Sequence, residues 1–494
     1  MKLPIHLPAR CAAAAMLFAG VGPAAAHGLG ERYDLPLPLG LYLFGAALMV
    51  ALSFMVLALF ARAGHQLAGR DVQALGLRFP TWPGEGALLL AVRSLSVVLF
   101  LLLVVAGLFG SSDPFKNPLP VSVWILGWVG IAYVSALLGN VWALINPWDN
   151  LFRLGSWIVR RGAGRPAEPL IAYPAFLGAW PAVALFFAFA WMELVWPARD
   201  QPAALASAVL AYSAITWTGM ALFGRGTWLA NGEFLALAFG LLARFAVTGD
   251  RDDGRAGRIS IRPPAAGLLV RAPVAPSIAA FALLMLATVT FDGLLETPLW
   301  AGITEWALGA AVWQRVSDVI GLNPYLLLTS AAFVCFPLIF AALYLLVAHL
   351  TAVAASTGAA SVKTNEMARL FVLTLVPIAI GYHLSHYISY LLIAGQFIIP
   401  IASDPFALGW NLFGTRLYLI DFSVVGTRFV WYASLTLIIA GHVIAVWLAH
   451  IQAERRFPDR RRALRSQIPM LALMVGYTAS SLWILAQPIT ETNP

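Results

Sequence analysis

The chain has 494 residues, 61% of them hydrophobic and only 11% charged. A soluble domain carries roughly a quarter charged residues, so a water-soluble globule is excluded and lipid is the expected solvent. The net charge of +8 is held in short segments between apolar runs, which is a topology signal and argues against a nucleic-acid partner.

Residues 1–26 read as a cleaved secretory signal peptide. Lys2 and Arg10 precede an apolar run from Cys11 to Phe18, and Pro23-Ala24-Ala25-Ala26 supplies a small-residue cleavage site. Cleavage there would make His27 the mature N-terminus, presenting an amine and an imidazole together as a metal-binding pair. The plainer reading is that His27 is the residue that follows the cut. Cys11 leaves with the peptide and Cys335 sits in an apolar run, so neither an internal disulfide nor a thiolate metal cluster is expected.

Residues 27–494 read as one all-α domain, a polytopic membrane helix bundle of about ten transmembrane helices plus interfacial helices. Ten apolar stretches are long enough to cross a hydrocarbon core of roughly 30 Å: 38–62, 88–110, 119–142, 171–195, 203–223, 273–296, 324–353, 369–397, 428–452 and 467–489. The leader places the mature N-terminus on the periplasmic side of a bacterial inner membrane, so alternate loops should be cytoplasmic and basic. Those loops hold 22 Lys and Arg residues, against five in the outer ones: Arg32, Lys116, Arg199, Arg315 and Arg416.

Residues 227–246 are almost apolar enough to span, but a span there would invert every later loop. They are expected to form an interfacial or re-entrant helix with Asn231 and Glu233 on its wet side. Residues 147–161 look interfacial too, with Trp148, Leu151, Leu154 and Trp157 against Arg153, Arg160 and Arg161. On the outer face Trp300, Trp306 and Trp313 suit the headgroup level. In Gly139-Asn140-Val141-Trp142, Asn140 should hydrogen-bond within the bundle, and Pro147 should end a helix. No internal repeat is evident, which weakens an inverted-repeat transporter.

Polar residues deep in lipid are costly and often mark function. Tyr382-His383-Leu384-Ser385-His386-Tyr387 puts His383 and His386 three apart on one helix face, near the midplane. His442 lies at matching depth on the next, antiparallel span. Three imidazoles suit Zn, Cu, Fe or Ni and leave a position open for water or substrate; the alternative is that each histidine bonds a neighbouring helix. Asp292 and Glu296, four apart at the outer end of their span, and Glu193 near the end of another, could complete a metal shell or act as general bases on water. The alternative for Glu296 is a solvated cap. His349 and His450 are expected to be structural. The outer tail from His27 could fold over a vestibule rimmed by Ser111-Ser112-Asp113-Pro114 and Ser403-Asp404-Pro405, bringing His27 towards His383 and His386. No Walker loop, H-E-x-x-H, G-x-S-x-G or dinucleotide fingerprint is present.

Several strings resemble a family of bacterial multispanning membrane proteins known as fenitrothion hydrolase. They are Ala26-His27-Gly28 with Asp34-Leu35-Pro36, the run from Gly139 to Trp148, Phe291-Asp292-Gly293 with Glu296-Thr297-Pro298, and His383-Leu384-Ser385-His386-Tyr387 running into Ala394-Gly395-Gln396. The resemblance covers most of the mature chain and implies hydrolysis of an apolar organophosphorus triester beside a partner membrane subunit. It carries no residue-level assignment. Catalytic Asp292 and Glu296, and a divalent Zn, Cu or Fe ion on His383, His386, His442 and His27, are therefore expectations from the residues themselves. Two other readings stay open: a transporter or channel for protons, metal ions or small solutes, and a non-catalytic subunit that anchors a partner.

Overall fold

The computed structural model describes residues 35–60, 85–163, 168–250, 259–356 and 361–487. The expected leader and His27 lie outside the described residues. In chain order the helices are α1 (Leu39–Phe60), α2 (Glu85–Phe109), α3 (Pro118–Leu138), α4 (Pro147–Ala163), α5 (Trp180–Leu194) and α6 (Pro202–Phe223). They are followed by α7 (Arg225–Asn231), α8 (Phe234–Ala243), α9 (Pro276–Leu295), α10 (Pro298–Leu308), α11 (Ala311–Ile320) and α12 (Pro324–Ala355). The last five are α13 (Thr364–Phe371), α14 (Val376–Ile393), α15 (Ile398–Ser403), α16 (Thr427–Arg456) and α17 (Arg460–Ala486). A small antiparallel pair, Thr248–Asp250 with Ile259–Ile261, joins α8 to α9. The protein is an all-α, multi-pass membrane helix bundle.

Among the described residues nine helical segments are long and apolar enough to cross a membrane, counting α13 to α15 as one run, or ten if the bent pair α7–α8 is one span. Many start in the same way. A proline opens the first turn, where its missing N–H costs nothing, and a side chain just before it accepts from the free amides. Asn117 caps α3, Thr297 caps α10 and Asn323 caps α12. α1 and α2 turn much of their surface outward, with Leu41, Phe44, Leu88 and Leu90 exposed, as lipid-facing helices should.

The fourth expected span is shorter than the apolar stretch. Only Trp180–Leu194 is helical there, 15 residues, or about 22 Å of rise. Pro174 and Gly178, at φ +42°, hold residues 171–179 out of the helix, and Tyr173 donates to the Gly178 carbonyl at 2.6 Å.

Residues 227–246 fold as a bent pair of helices, either a broken span or the re-entrant segment expected. α7 and α8 meet at 67°, and Glu233, expected on the wet side, is fully buried at the bend. It caps α8, accepting from the amides of Leu235 at 3.2 Å and Ala236 at 2.7 Å, while Asn146 Nδ2, Trp142 Nε1 and the Tyr212 hydroxyl complete its shell. Asn140, expected inside the bundle, is exposed and accepts from the Ala143 amide at 3.3 Å. Trp300 is likewise buried, edge-on to Phe291 at 5.9 Å, whereas Trp306 is exposed. α4 does form as expected, an amphipathic helix with Leu154, Trp157 and Ile158 outward.

α14 is the most enclosed helix and crosses α16 backbone to backbone. A Cβ on Gly381 would lie 2.6 Å from the Leu437 carbonyl oxygen, and one on Gly441 would lie 2.6 Å from that of Pro377. Each oxygen belongs to the residue four before the facing glycine. Small residues of this kind let membrane helices approach closely. The contact fixes α14, and with it the candidate site.

Candidate functional site

His383, His386 and Tyr387 share one face of α14, at spacings of three and four. That face meets α9 at Asp292. His386 Nε2 lies 2.9 Å from Asp292 Oδ2, and the Tyr387 hydroxyl donates to the same oxygen at 2.5 Å. All three side chains are buried. A carboxylate is an acceptor only, so an ionised Asp292 takes a proton donor from each. The next residue, Gly293, is what allows α9 so close, because a Cβ there would sit 2.1 Å from the Tyr382 hydroxyl oxygen.

His383 stands on the other side of Tyr387, with ring centroids 4.7 Å apart. It bonds the backbone of Val129, and its Nε2 has no partner among the described residues. Val129 belongs to a π-helical stretch of α3, Val121–Gly130, the kind of widened turn often found at functional sites. Gly127 accommodates the widening, since a Cβ there would meet the Ser122 carbonyl oxygen at 2.6 Å. Tyr133, further along α3, donates to the Leu384 carbonyl at 2.5 Å and holds α3 against α14.

Between these helices lies a cavity of about 30 Å³, lined in its polar part by Glu193, Thr288, Asp292, His383 and Tyr387. A water needs roughly 10–15 Å³, so one or two fit. Trp128, Phe186, Leu242 and Met285 supply much of the remaining wall. The arrangement therefore sets two carboxyl groups, one imidazole, a phenol and a threonine hydroxyl around a water-sized space, with His386 behind Asp292.

The structure brings together Asp292, His383, His386 and Glu193. Glu296 is half-buried one turn beyond Asp292, where it caps α9. His442 is buried, but its Nδ1 lies 2.8 Å from the Ile438 carbonyl oxygen and its ring packs on Tyr477 with centroids 5.9 Å apart. It is not part of the cavity wall. Among the described residues no three His, Cys, Asp or Glu side chains are placed to hold a metal ion. The fourth expected ligand, His27, lies outside those residues. His450, expected to be structural, pairs with Gln467 at 3.0 Å.

Sequence reasoning named neither Tyr387 as a partner of Asp292 nor Trp128 as a wall. Tyr387 had a signal, its i,i+4 relation to His383. The π-helix had only the glycines at 127 and 130.

Beside the two expected rim segments, though in neither, the rings of Phe115 and Phe397 lie 5.3 Å apart. Asp404 turns the second segment. Partial desolvation pushes its pKa up, but N–H donors from Gly409, Leu408 and Trp410 outweigh that and hold the carboxyl below its ordinary value. Asp421, in the same loop, is held low by the Ser423 hydroxyl and amide.

No family model, curated protein or solved structure matches the chain.

Proposed function

We propose that the protein is a membrane transporter or channel that passes protons, with Asp292 and His386 as the groups that exchange them. The observation that supports this reading is the buried Asp292–His386–Tyr387 cluster on a water-sized cavity among spanning helices. Ionisable residues inside a bundle commonly mark proton relays. Every polar side chain there is an acid, a base or a hydroxyl, which suits proton transfer through one or two waters. Asp292 lies three residues from the end of α9, about 5 Å of rise, but sixteen residues from its start at Pro276, about 24 Å. The cluster therefore lies close to one end of α9 and far from the other.

The test is proton flux. Purified protein in liposomes loaded with a pH-sensitive dye should acidify or alkalise the lumen under an imposed gradient. Asp292→Asn should remove the flux in a protein that still unfolds cooperatively, at a lower temperature because a buried acceptor is lost. Equal flux in both proteins, or none in the wild type, would sink this reading.

A second reading is favoured by the apolar wall of the cavity and by the resemblance to fenitrothion hydrolase. In it, Asp292 takes a proton from a water that attacks the phosphorus of an apolar phosphotriester entering from lipid, and the nitrophenolate leaves. His383 and His386, with a further ligand, would hold a divalent ion that supplies Lewis acidity. At about 30 Å³ the cavity must open before an aryl phosphotriester fits. Nitrophenol release by metal-loaded protein, lost in Asp292→Asn, would favour this reading.

A further inference from the structure

A second charged cluster lies at the opposite, arginine-rich end of the bundle, where α2, α4 and α7 converge. Asp149, in the first turn of α4, is buried at 3% exposure. Arg153 Nε reaches it at 2.9 Å, and Arg225 reaches it from α7 through Nε and through Nη2, the latter at 3.0 Å. These two arginines occupy both carboxylate oxygens. Arg93, on α2, is close enough to feel the charges of Arg153, Asp149 and Arg225, and its Nε is buried with no hydrogen-bond partner among the described residues. Asn150 Nδ2, next to Asp149, bonds Ser96 Oγ at 3.0 Å and fixes α4 against α2 beside Arg93.

Two guanidinium groups thus share one carboxylate, and a third, that of Arg93, lies within reach of their charges. Arg93 is eight residues into α2, about 12 Å along its axis, where an unbalanced charge is costly. The cluster is not sealed: the Arg153 and Arg225 side chains are 40% and 35% exposed. Its surroundings are lipid-facing, with Leu90 and Leu101 exposed on α2 and Leu154 and Trp157 on α4.

We propose that this cluster binds the phosphate of an anionic phospholipid. A guanidinium fork matches phosphate oxygens two at a time, and basic pockets between spanning helices on the cytoplasmic side receive such headgroups. The lipid supplies the missing negative charge, and its acyl chains run along Leu90 and Leu101, exposed on the flank of α2 beside Arg93. A soluble phosphate would satisfy the arginines but leave that apolar flank without a role.

The test is lipid retention by the full chain in detergent, counted by native mass spectrometry during titration with phosphatidylglycerol. Phosphatidylcholine and inorganic phosphate form the other two arms. The wild type should retain one phosphatidylglycerol that Arg93→Gln binds about fivefold or more weakly, with phosphatidylcholine retained equally by both. Arg153→Gln, at an exposed position, should show the same direction and decides the matter if Arg93→Gln does not fold. Unchanged retention in a folded variant overturns the site. Displacement of phosphatidylglycerol by millimolar inorganic phosphate would assign the cluster to a soluble anion and overturn the lipid.

Discussion

The crossing of α14 and α16 makes the sharpest mechanical prediction. Gly381→Ala would put a Cβ 2.6 Å from the Leu437 carbonyl oxygen, and Gly441→Ala would put one 2.6 Å from that of Pro377. Both obstacles are backbone atoms inside helices, so no rotamer change relieves them and the helices must separate. Overpacking of this kind costs about 1–3 kcal/mol, and a backbone contact belongs at the upper end, about 3 kcal/mol for either variant. The two clashes share one remedy. Once the helices have moved apart for the first alanine, the second should add less than about 1 kcal/mol, a strong departure from additivity. Gly476→Ala is the control: it meets nothing within 4 Å and should stabilise α17 by roughly 0.5–1 kcal/mol through helix propensity. Unfolding titrations in mixed micelles measure all four proteins. Single variants as stable as wild type, or a double variant at the full sum of about 6 kcal/mol, would refute the close-crossing argument.

Glu233→Gln replaces an acceptor of five hydrogen bonds with an amide that brings its own donors against Tyr212, Trp142 and Asn146. It should destabilise the protein by about 1–3 kcal/mol in the same titration, and a neutral result would mean that the buried cap is not made as described. The outer loop around Asp404 makes a pH prediction. Its folded-state pKa lies below the ordinary value. The stabilisation is therefore present above the unfolded value and is lost only as pH falls through the lower, folded one. Protease cleavage within 404–426 should be constant from neutral pH down to the ordinary carboxylate range and rise below it, whereas Asp404→Asn should be cut faster throughout.

Much of the bundle was legible because each span must satisfy one strong constraint, an apolar run of sufficient length. Where the expectation failed, the cause was local chemistry. Pro174 and Gly178 shorten α5 even though the whole stretch 171–195 is long and apolar enough to span. Glu233 looked like a wet-side residue because its partners lie elsewhere in the chain, Tyr212 and Asn146 among them. Charge alone cannot announce five buried donors. At the site, the pairing of Asp292 with His386 was within reach, since both stood out as costly residues near one membrane face. The separation of His442 was not, because depth along a helix says nothing about azimuth. Its Nδ1 turns to its own helix at Ile438, and its ring goes to α17 rather than to α14's histidine face.

The central claim is that Asp292 and His386 exchange protons through a small hydrated space. Infrared difference spectroscopy of the membrane-embedded protein tests it most directly, through the carboxyl band that Asp292→Asn removes. The account predicts that this band shifts within minutes of transfer into heavy water and responds to bulk pH in the wild type. A band that stays fixed over hours in heavy water and across the same pH range would contradict it.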